Sequence, residues 1–599
     1  MGKTLVYNTG NAVPPIDELN LEIGVFFDGT LNNLTNTALR EKYRDGKNKI
    51  KSTDTKDQIL AKEEAIKKTR EKQEEEFDDL KSSDISEKDS EYDRYLKGSH
   101  RGWLDSQGVD NSFSNDYTNV ARMYQCCEQI NYGVYIEGIG TLNNSRDVDD
   151  GFQYGSGESG VRGKVRKGCE KIADRIKVLI KQAGSKKKLT KITIDAFGFS
   201  RGAAAARNFV YEINGNKRAQ DVEIKKSRKI VGYKEVGSYA HEGPVMVPEY
   251  GDIWIDKDKI EVDPKYLING KLPKFGFLGY YLLSKKILSP EQLENLMLDV
   301  RFIGVYETVS SYEEFGDMGT LERVGYRGMV HSALGPKHNF GDDVEQLQLK
   351  NPGSYFKAVH FTATDEHREN FSLTRFPGSI EKEFPGVHCD IGGAYENGME
   401  IVDEIETSNH KPLWALKKRM QDLIDQHWFN DDQIEINNTV LNILTFGNVY
   451  RKITGTRFLR KEYSYIPLHF MEEQGLRLYD HKIITKTEAT YSIEHDEHLP
   501  AAKRRLHEYV FDSKDSWAFR SDEDLEKEYD KMRAEAPVEY PSVTADKDGN
   551  QVMNIPAVNI YGNRWQSLLR TIRNEYLHWS ANRDWMGMDP NDDYQRRIY

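Results

Sequence analysis

Strand-like segments alternating with helical ones predict an α/β fold, built on a mainly parallel sheet with helices on both faces. Three observations carry this. Leu21–Phe27 is a short apolar run closed by the turn-rich Asp28-Gly29-Thr30. The stretch Lys191–Val210, KITIDAFGFSRGAAAARNFV, passes from β-branched alternation straight into an alanine-rich helix. Further on, Val300–Tyr306, Tyr355–Thr362 and Ile380–Val387 are three more short strand candidates, each entering a polar or glycine-rich turn.

Taken in order, the first strand is followed by a charged insertion at about 41–98, dominated by Lys, Glu and Asp. Its apolar residues are too sparse for a core-facing stripe, so a solvated helical insertion or arm is expected. Patterning resumes at Asn115–Val120, and Tyr132–Glu137 reads as the second strand. Val161–Gln182 has the spacing of an amphipathic helix, and Ile192–Phe197 is the strand after it. A second insertion spans about 214–290, with mixed strand signals, an apolar stretch Lys271–Lys286 and a helix start at Ser289-Pro290-Glu291-Gln292. The apolar stretch has two readings, an ordinary buried helix or an interfacial lid with lysines at its edges. Residues 1–409 are therefore expected to form one catalytic unit, and 410–599 a mostly helical accessory region that associates with a partner or a membrane.

At 599 residues, the chain is long enough for two or three domains. A net charge of −13 argues against nucleic acid as the main partner. No apolar h-region marks a Sec signal peptide at the start, and no apolar run reaches the length of a membrane span. The four cysteines, Cys126, Cys127, Cys169 and Cys389, lack a CxxC metal spacing and read as reduced, packed thiols, consistent with synthesis in a reducing cytoplasm.

In parallel sheets, sites form beyond the carboxyl ends of the strands, which singles out Asp28, Ser200, Glu307, Asp365 and His388. Gly198-Phe199-Ser200-Arg201-Gly202 fits G-x-S-x-G, the nucleophile elbow of an α/β-hydrolase-like sheet. Such a turn exposes a hydroxyl and offers the N–H groups of a helix start to a developing oxyanion. A serine nucleophile needs a base, and His388 in FPGVHCDIGG is the leading one, ahead of His360 and His367. The group orienting it is Asp365 or Glu307, both at strand ends. The N–H of Arg201 and those of Gly29 or Thr30 are candidates for the oxyanion hole, with Asp28 in an auxiliary place. Asp28 has no clustered metal-ligand partners, so neither a metal nor another cofactor is expected.

FFDGTLNN, TNVAR (Thr118–Arg122), GFSRGAAAAR, VYETVSS, DEHRENF and FPGVHCDIGGAY, in this order, resemble the catalytic domain of the type VI secretion phospholipase effectors, Tle-type α/β-hydrolases that attack bacterial membrane lipids. YLHWSA (Tyr576–Ala581) is a fainter likeness. The resemblance places the family's nucleophile on Ser200 and its histidine on His388. Where members commonly read V-W-D-T-V, this chain has Val305-Tyr306-Glu307-Thr308-Val309, a glutamate at the position taken as the triad acid, and Asp365 remains a candidate. It further implies secretion by the type VI apparatus to act in a target-cell envelope, a spike or adaptor protein for loading, and a cognate immunity protein. The expected activity is a serine phospholipase, A-type, acting on membrane glycerophospholipids. The alternatives are a general carboxylesterase or thioesterase, and a non-catalytic interaction protein on the same fold.

Overall fold

The computed structural model describes residues 17–80, 82, 84–100, 111–128, 131–148, 155, 157–214, 224–236, 245–256, 260–311, 340–440, 449–478, 483–535, 542–545, 551–554, 560–583 and 588–599. The first sixteen residues, where a signal peptide was looked for, lie outside this set, as do parts of the second insertion.

Six strands form one wholly parallel sheet: β1 (Glu18–Phe27), β2 (Gly133–Ile136), β3 (Lys188–Phe199), β6 (Met297–Tyr306), β7 (Lys357–Ala363) and β8 (Ile380–Phe384), in the order β2-β1-β3-β6-β7-β8. β3 is central, and its last residues pair Phe197 with Gly304 and Phe199 with Tyr306. The C-terminal halves of β1, β3 and β6 are buried on both faces, as a parallel sheet requires.

One face is covered by the helices Val161–Ala183, Arg201–Glu212 and Gly276–Ser284. The last of these settles the two readings of the apolar stretch. Phe277, Leu278 and Leu282 are at most 1% exposed, and the Phe277 N–H donates to Glu212 Oε1 at 2.9 Å. The helix is part of the core, and the lid reading is corrected: aromatic and leucine side chains at this spacing cover the neighbouring helix, whose Arg166 lies over the Phe277 ring.

The opposite face joins Phe26, Phe197, Phe302, Phe361 and Phe384 of the sheet to residues beyond 410, including Leu468, Met471, Leu506 and Leu577, in a single apolar cluster. A three-stranded antiparallel sheet of β9 (Gly398–Thr407), β10 (Ile434–Val440) and β11 (Val449–Leu459), in the order β10-β11-β9, follows the catalytic strands. β4 (Lys225–Val236) and β5 (Val245–Ile255) form a separate hairpin in the second insertion.

The charged insertion is helical and solvated, as its composition implies. Its helices Lys56–Asp78 and Glu91–Ser99 each begin with a capping box, Thr55 with Gln58 and Ser90 with Asp93. The second packs into a small satellite core of Leu39, Tyr95, Leu96 and Phe113, and the first is joined to it where Tyr95 Oη donates to Gln73 Oε1 at 3.2 Å. All four cysteines are free. No helix among the described residues is long and apolar enough to cross a membrane.

Candidate active site

β3 delivers Ser200 into a backbone conformation that L-residues avoid, with φ 58° and ψ −129°. Such a residue costs on the order of 1–3 kcal/mol and persists only where its surroundings hold it. Here the Ser200 N–H donates to the Tyr306 carbonyl at 3.1 Å, and the Val309 N–H donates to the Ser200 carbonyl at 3.3 Å, so β6 and the turn after it grip both sides of the peptide. The two glycines are required by close approach. A Cβ on Gly198 would lie 2.4 Å from the Gly202 carbonyl oxygen, and one on Gly202 would lie 2.2 Å from that of Asp28. The helix that follows, Arg201–Glu212, is buried along its whole length, and its run of four alanines lets it sit close against the sheet. Although Ser200 stands at the N-cap, its side chain does not cap the helix, so the hydroxyl is not committed there.

His388 begins the short helix His388–Gly392, just past β8. Its ring packs against Phe199, the residue preceding the serine, at 4.6 Å between centroids, and meets Phe371 edge-on at 4.9 Å. Nδ1 lies 2.9 Å from Glu307 Oε2. With a carboxylate as acceptor, Nδ1 carries the proton and Nε2 keeps its lone pair. Burial pulls the imidazole below its ordinary range, and the bond to Glu307 opposes this only in part. The ring is therefore neutral near pH 7, the form a general base needs.

Glu307 follows β6 and, like Ser200, has positive φ, at 51°. It is fully buried. Besides the bond to His388, its Oε1 accepts from the Ala363 N–H at 2.6 Å and from Arg596 Nη1 at 2.8 Å. Burial pushes this carboxyl up, but the Arg596 guanidinium and the His388 bond outweigh it and hold the group at about 2. The two acids left open by the sequence thus differ in place. Asp365 lies against other partners: it accepts from the Gly386 N–H at 2.7 Å and pairs with Arg573 Nη2 at 3.0 Å. Arg368 forks onto Glu366 at 2.9 and 3.0 Å. Glu366 also accepts from the His388 N–H at 3.2 Å.

The competing histidines serve other contacts. His360 Nδ1 lies 2.8 Å from Glu381, and its Nε2 accepts from the Thr308 N–H at 3.2 Å. His367 Nδ1 donates to the Asp365 carbonyl at 2.9 Å.

Asp28 closes the first strand as a buried hub, accepting from Thr118 Oγ1 at 2.6 Å, Tyr135 Oη at 2.5 Å and the Gly29 N–H at 2.8 Å. Burial outweighs these donors and raises its carboxyl to about 6. The Gly29 amide, expected as an oxyanion donor, is thereby engaged by the neighbouring carboxylate, which is a correction to its place in the hole. Thr30 faces the elbow through its hydroxyl, which accepts from Arg201 Nε at 2.8 Å.

Arg596 had no signal in the sequence, because nothing local links it to Glu307, 289 positions away. Ser200 is 5% exposed and His388 3%, so the pair lies just below the surface. A cleft of about 350 Å³, lined in part by Val210, Ile213, Leu298 and Tyr355, lies at the far end of the elbow helix and the start of β6. It is thus at the opposite end of the strands from Ser200. Among the described residues, no group of three His, Cys, Asp or Glu side chains is placed to hold a metal ion.

Residues 104–418 match the family model described as the catalytic domain of the Tle1-like phospholipase effectors of the type VI secretion system. Among solved structures, that of the Tle1 effector bound to the VgrG spike of the type 6 secretion system is similar at 15% identity, covering 98% of this chain and 94% of that one, with a TM-score of 0.45. An uncharacterized protein from Pseudomonas aeruginosa is similar at 12% identity over 96% of this chain and 64% of its own, with a TM-score of 0.30. No curated protein matches the sequence.

Proposed function

The chain belongs to the Tle1-like phospholipase effector family of the type VI secretion system, and on that premise we propose that it is a serine phospholipase of A type, with Ser200, His388 and Glu307 as its triad. The observation that carries this is the 2.9 Å contact of Glu307 with His388 Nδ1, on a ring packed against the residue before the strained serine. Ser200 Oγ attacks the acyl carbonyl of a glycerophospholipid while His388 Nε2 takes the hydroxyl proton. Glu307 stays ionised and steadies the imidazolium. The oxyanion is held by the Arg201 N–H, at the N-terminus of the elbow helix, and by the Thr30 N–H across from it. His388 then gives its proton to the departing lysophospholipid oxygen. Water, deprotonated by the same histidine, cleaves the acyl-enzyme and releases the fatty acid.

Asp28 sets the Thr30 turn, and Asp365 anchors the loop that carries His388. Residues 1–409 carry the triad, residues beyond 410 close the second face of its sheet and supply Arg596, and the outer surface of 410–599 is where partners dock. Family membership makes a secretion spike or adaptor and a cognate immunity protein the expected partners, and the envelope of a target cell the place of action.

The test is mass spectrometry of products from phospholipids with distinct acyl chains at the two glycerol positions. The wild type is expected to release one fatty acid and its lysophospholipid, and Ser200→Ala to lose at least about 10³-fold in rate. Unchanged product formation by the folded mutant would reject the nucleophile. Hydrolysis of short-chain esters with none of vesicles would favour a soluble carboxylesterase or thioesterase.

A further inference from the structure

Arg596 lies far from the catalytic motifs in sequence, yet its Nη1 donates to the same Glu307 carboxylate that receives His388, at 2.8 Å. Its place is built rather than incidental. The Nε–H donates to the Phe371 carbonyl at 2.8 Å, and Phe371 is the ring that meets His388 edge-on. The residues after it are tied along Leu373–Arg375: the Leu373 N–H donates to the Arg597 carbonyl at 2.9 Å, and the Tyr599 N–H donates to the Leu373 carbonyl at 2.8 Å. The Arg375 N–H donates to the Tyr599 carbonyl at 2.9 Å. Arg596 itself is buried, with a side-chain exposure of 7% against 0% for Glu307.

We propose that Arg596 is a positioning residue of the hydrolytic site, sharing the Glu307 carboxylate with His388 so that this buried acid stays ionised and its second oxygen stays aimed at Nδ1. The assignment rests on the Ser200–His388–Glu307 reading. A carboxylate with no solvent exposure must satisfy its charge and lone pairs within the protein. The Ala363 amide supplies one neutral donor and His388 another, and Arg596 supplies the full positive charge. Because Arg596 binds one oxygen and His388 the other, the guanidinium fixes the orientation of the carboxylate without displacing the histidine. The other charged groups around the pair are Glu366 and Arg368, bound to each other, and His360, bound to Glu381. Asp390, on the same short helix as His388, is paired with His578.

The sign of the effect on titration is fixed. Removing the positive charge beside a Glu–His pair makes that pair bind its proton more readily, whichever partner takes it. The acid limb of kcat/KM should therefore move to higher pH in Arg596→Gln, by about one unit. Loss of a charged hydrogen bond should lower kcat/KM on a soluble short-chain ester roughly 10–100-fold at pH 7. Arg596→Lys, which keeps the charge but not the fork, should recover the pH limb and part of the rate. In a Glu307→Gln background, Arg596→Gln should cost less than about threefold, since the shared group is gone.

Thermal unfolding monitors whether each variant is folded. A limb that does not move in folded Arg596→Gln, or an equal fold-loss with and without the Glu307 carboxylate, would overturn the assignment and leave Arg596 a packing residue. If folded Ser200→Ala retains wild-type turnover, the triad reading itself has failed, an outcome separate from any result at Arg596.

Discussion

Glu307 is a carboxylate that solvent does not reach, with donors on both oxygens, and its effect on His388 can be read in one titration. In Glu307→Gln the amide oxygen can still accept from Nδ1, but the charge that opposes burial at His388 is gone. The imidazole should then hold its proton less firmly, so the acid limb of kcat/KM moves to lower pH, while the rate falls about 10²–10⁴-fold. This is the reverse of the shift argued for Arg596→Gln. Asp365→Asn breaks the pair with Arg573 and should lower the thermal midpoint without moving that limb. If the limb follows Asp365 and ignores Glu307, the acid has been misassigned. The sequence left these two carboxylates open for a physical reason. Both follow strands, and periodicity places strand ends without saying which side chain turns inward. Which of them meets His388 is set by backbone conformation at one residue, φ 51° at Glu307, and by an arginine 289 positions away. The placement of Ser200 and His388 at strand ends was legible because each lies in a nearly self-contained local pattern, a strand–turn–helix in one case and a glycine-flanked turn in the other.

At the scale of elements, the elbow shows how the sheet enforces its own strain. Gly202 sits where the end of β1 crosses the helix start, with the Asp28 and Phe27 carbonyl oxygens 2.2 and 2.5 Å from where a Cβ would stand. Both are backbone atoms, at the end of β1 and just past it, and cannot swing aside as a side chain could. Gly202→Ala should therefore cost about 1–3 kcal/mol of stability and abolish most turnover, because the helix must back away from Ser200. Gly184 supplies the control: its φ is 93° with open space around it, so Gly184→Ala should cost about 1 kcal/mol and leave activity intact. Denaturant midpoints and ester hydrolysis separate the two. Full activity in Gly202→Ala would mean that the close approach is not needed. The strands themselves were legible from their apolar runs to within a few residues, and the helix predicted at Val161–Gln182 forms as Val161–Ala183. The apolar stretch at 271–286 was ambiguous because burial and lipid contact select the same residues. Only the neighbouring Glu212 and Arg166 decide between them.

At the scale of the molecule, the sheet has two faces and the chain covers them from different ends. The first face is closed by helices that lie between the strands in sequence, as βαβ connection implies. The second is closed largely by residues beyond 410, a region read from the sequence as accessory because its aromatics are scattered among charges. Two close approaches mark the junction. A Cβ on Gly24 of β1 would meet Ile483 at 2.5 Å, and one on Gly304 of β6 would meet Met471 at 2.8 Å. Sequence patterning reports that a segment has an apolar face but not which surface it covers, so this layer could not be assigned. Charged pairs also cross to the far side of residue 410, among them Arg573 with Asp365, His578 with Asp390, Arg583 with Glu406 and Arg596 with Glu307. Separating the two parts would expose Phe26, Phe197, Phe302, Phe361 and Phe384 together and leave Glu307 buried without its cation. At about 25 cal/mol per Å² of apolar surface, a face of five phenylalanines outweighs the few kcal/mol by which a domain of this size is stable. A fragment of residues 1–409 expressed alone is therefore expected to aggregate or to bind a hydrophobic dye strongly, and to hydrolyse no ester. Co-expression with 410–599 should return soluble, active protein by rebuilding the face. A monomeric, cooperatively unfolding, active 1–409 fragment would show instead that the second face is dispensable, and that the far region only docks onto a finished domain.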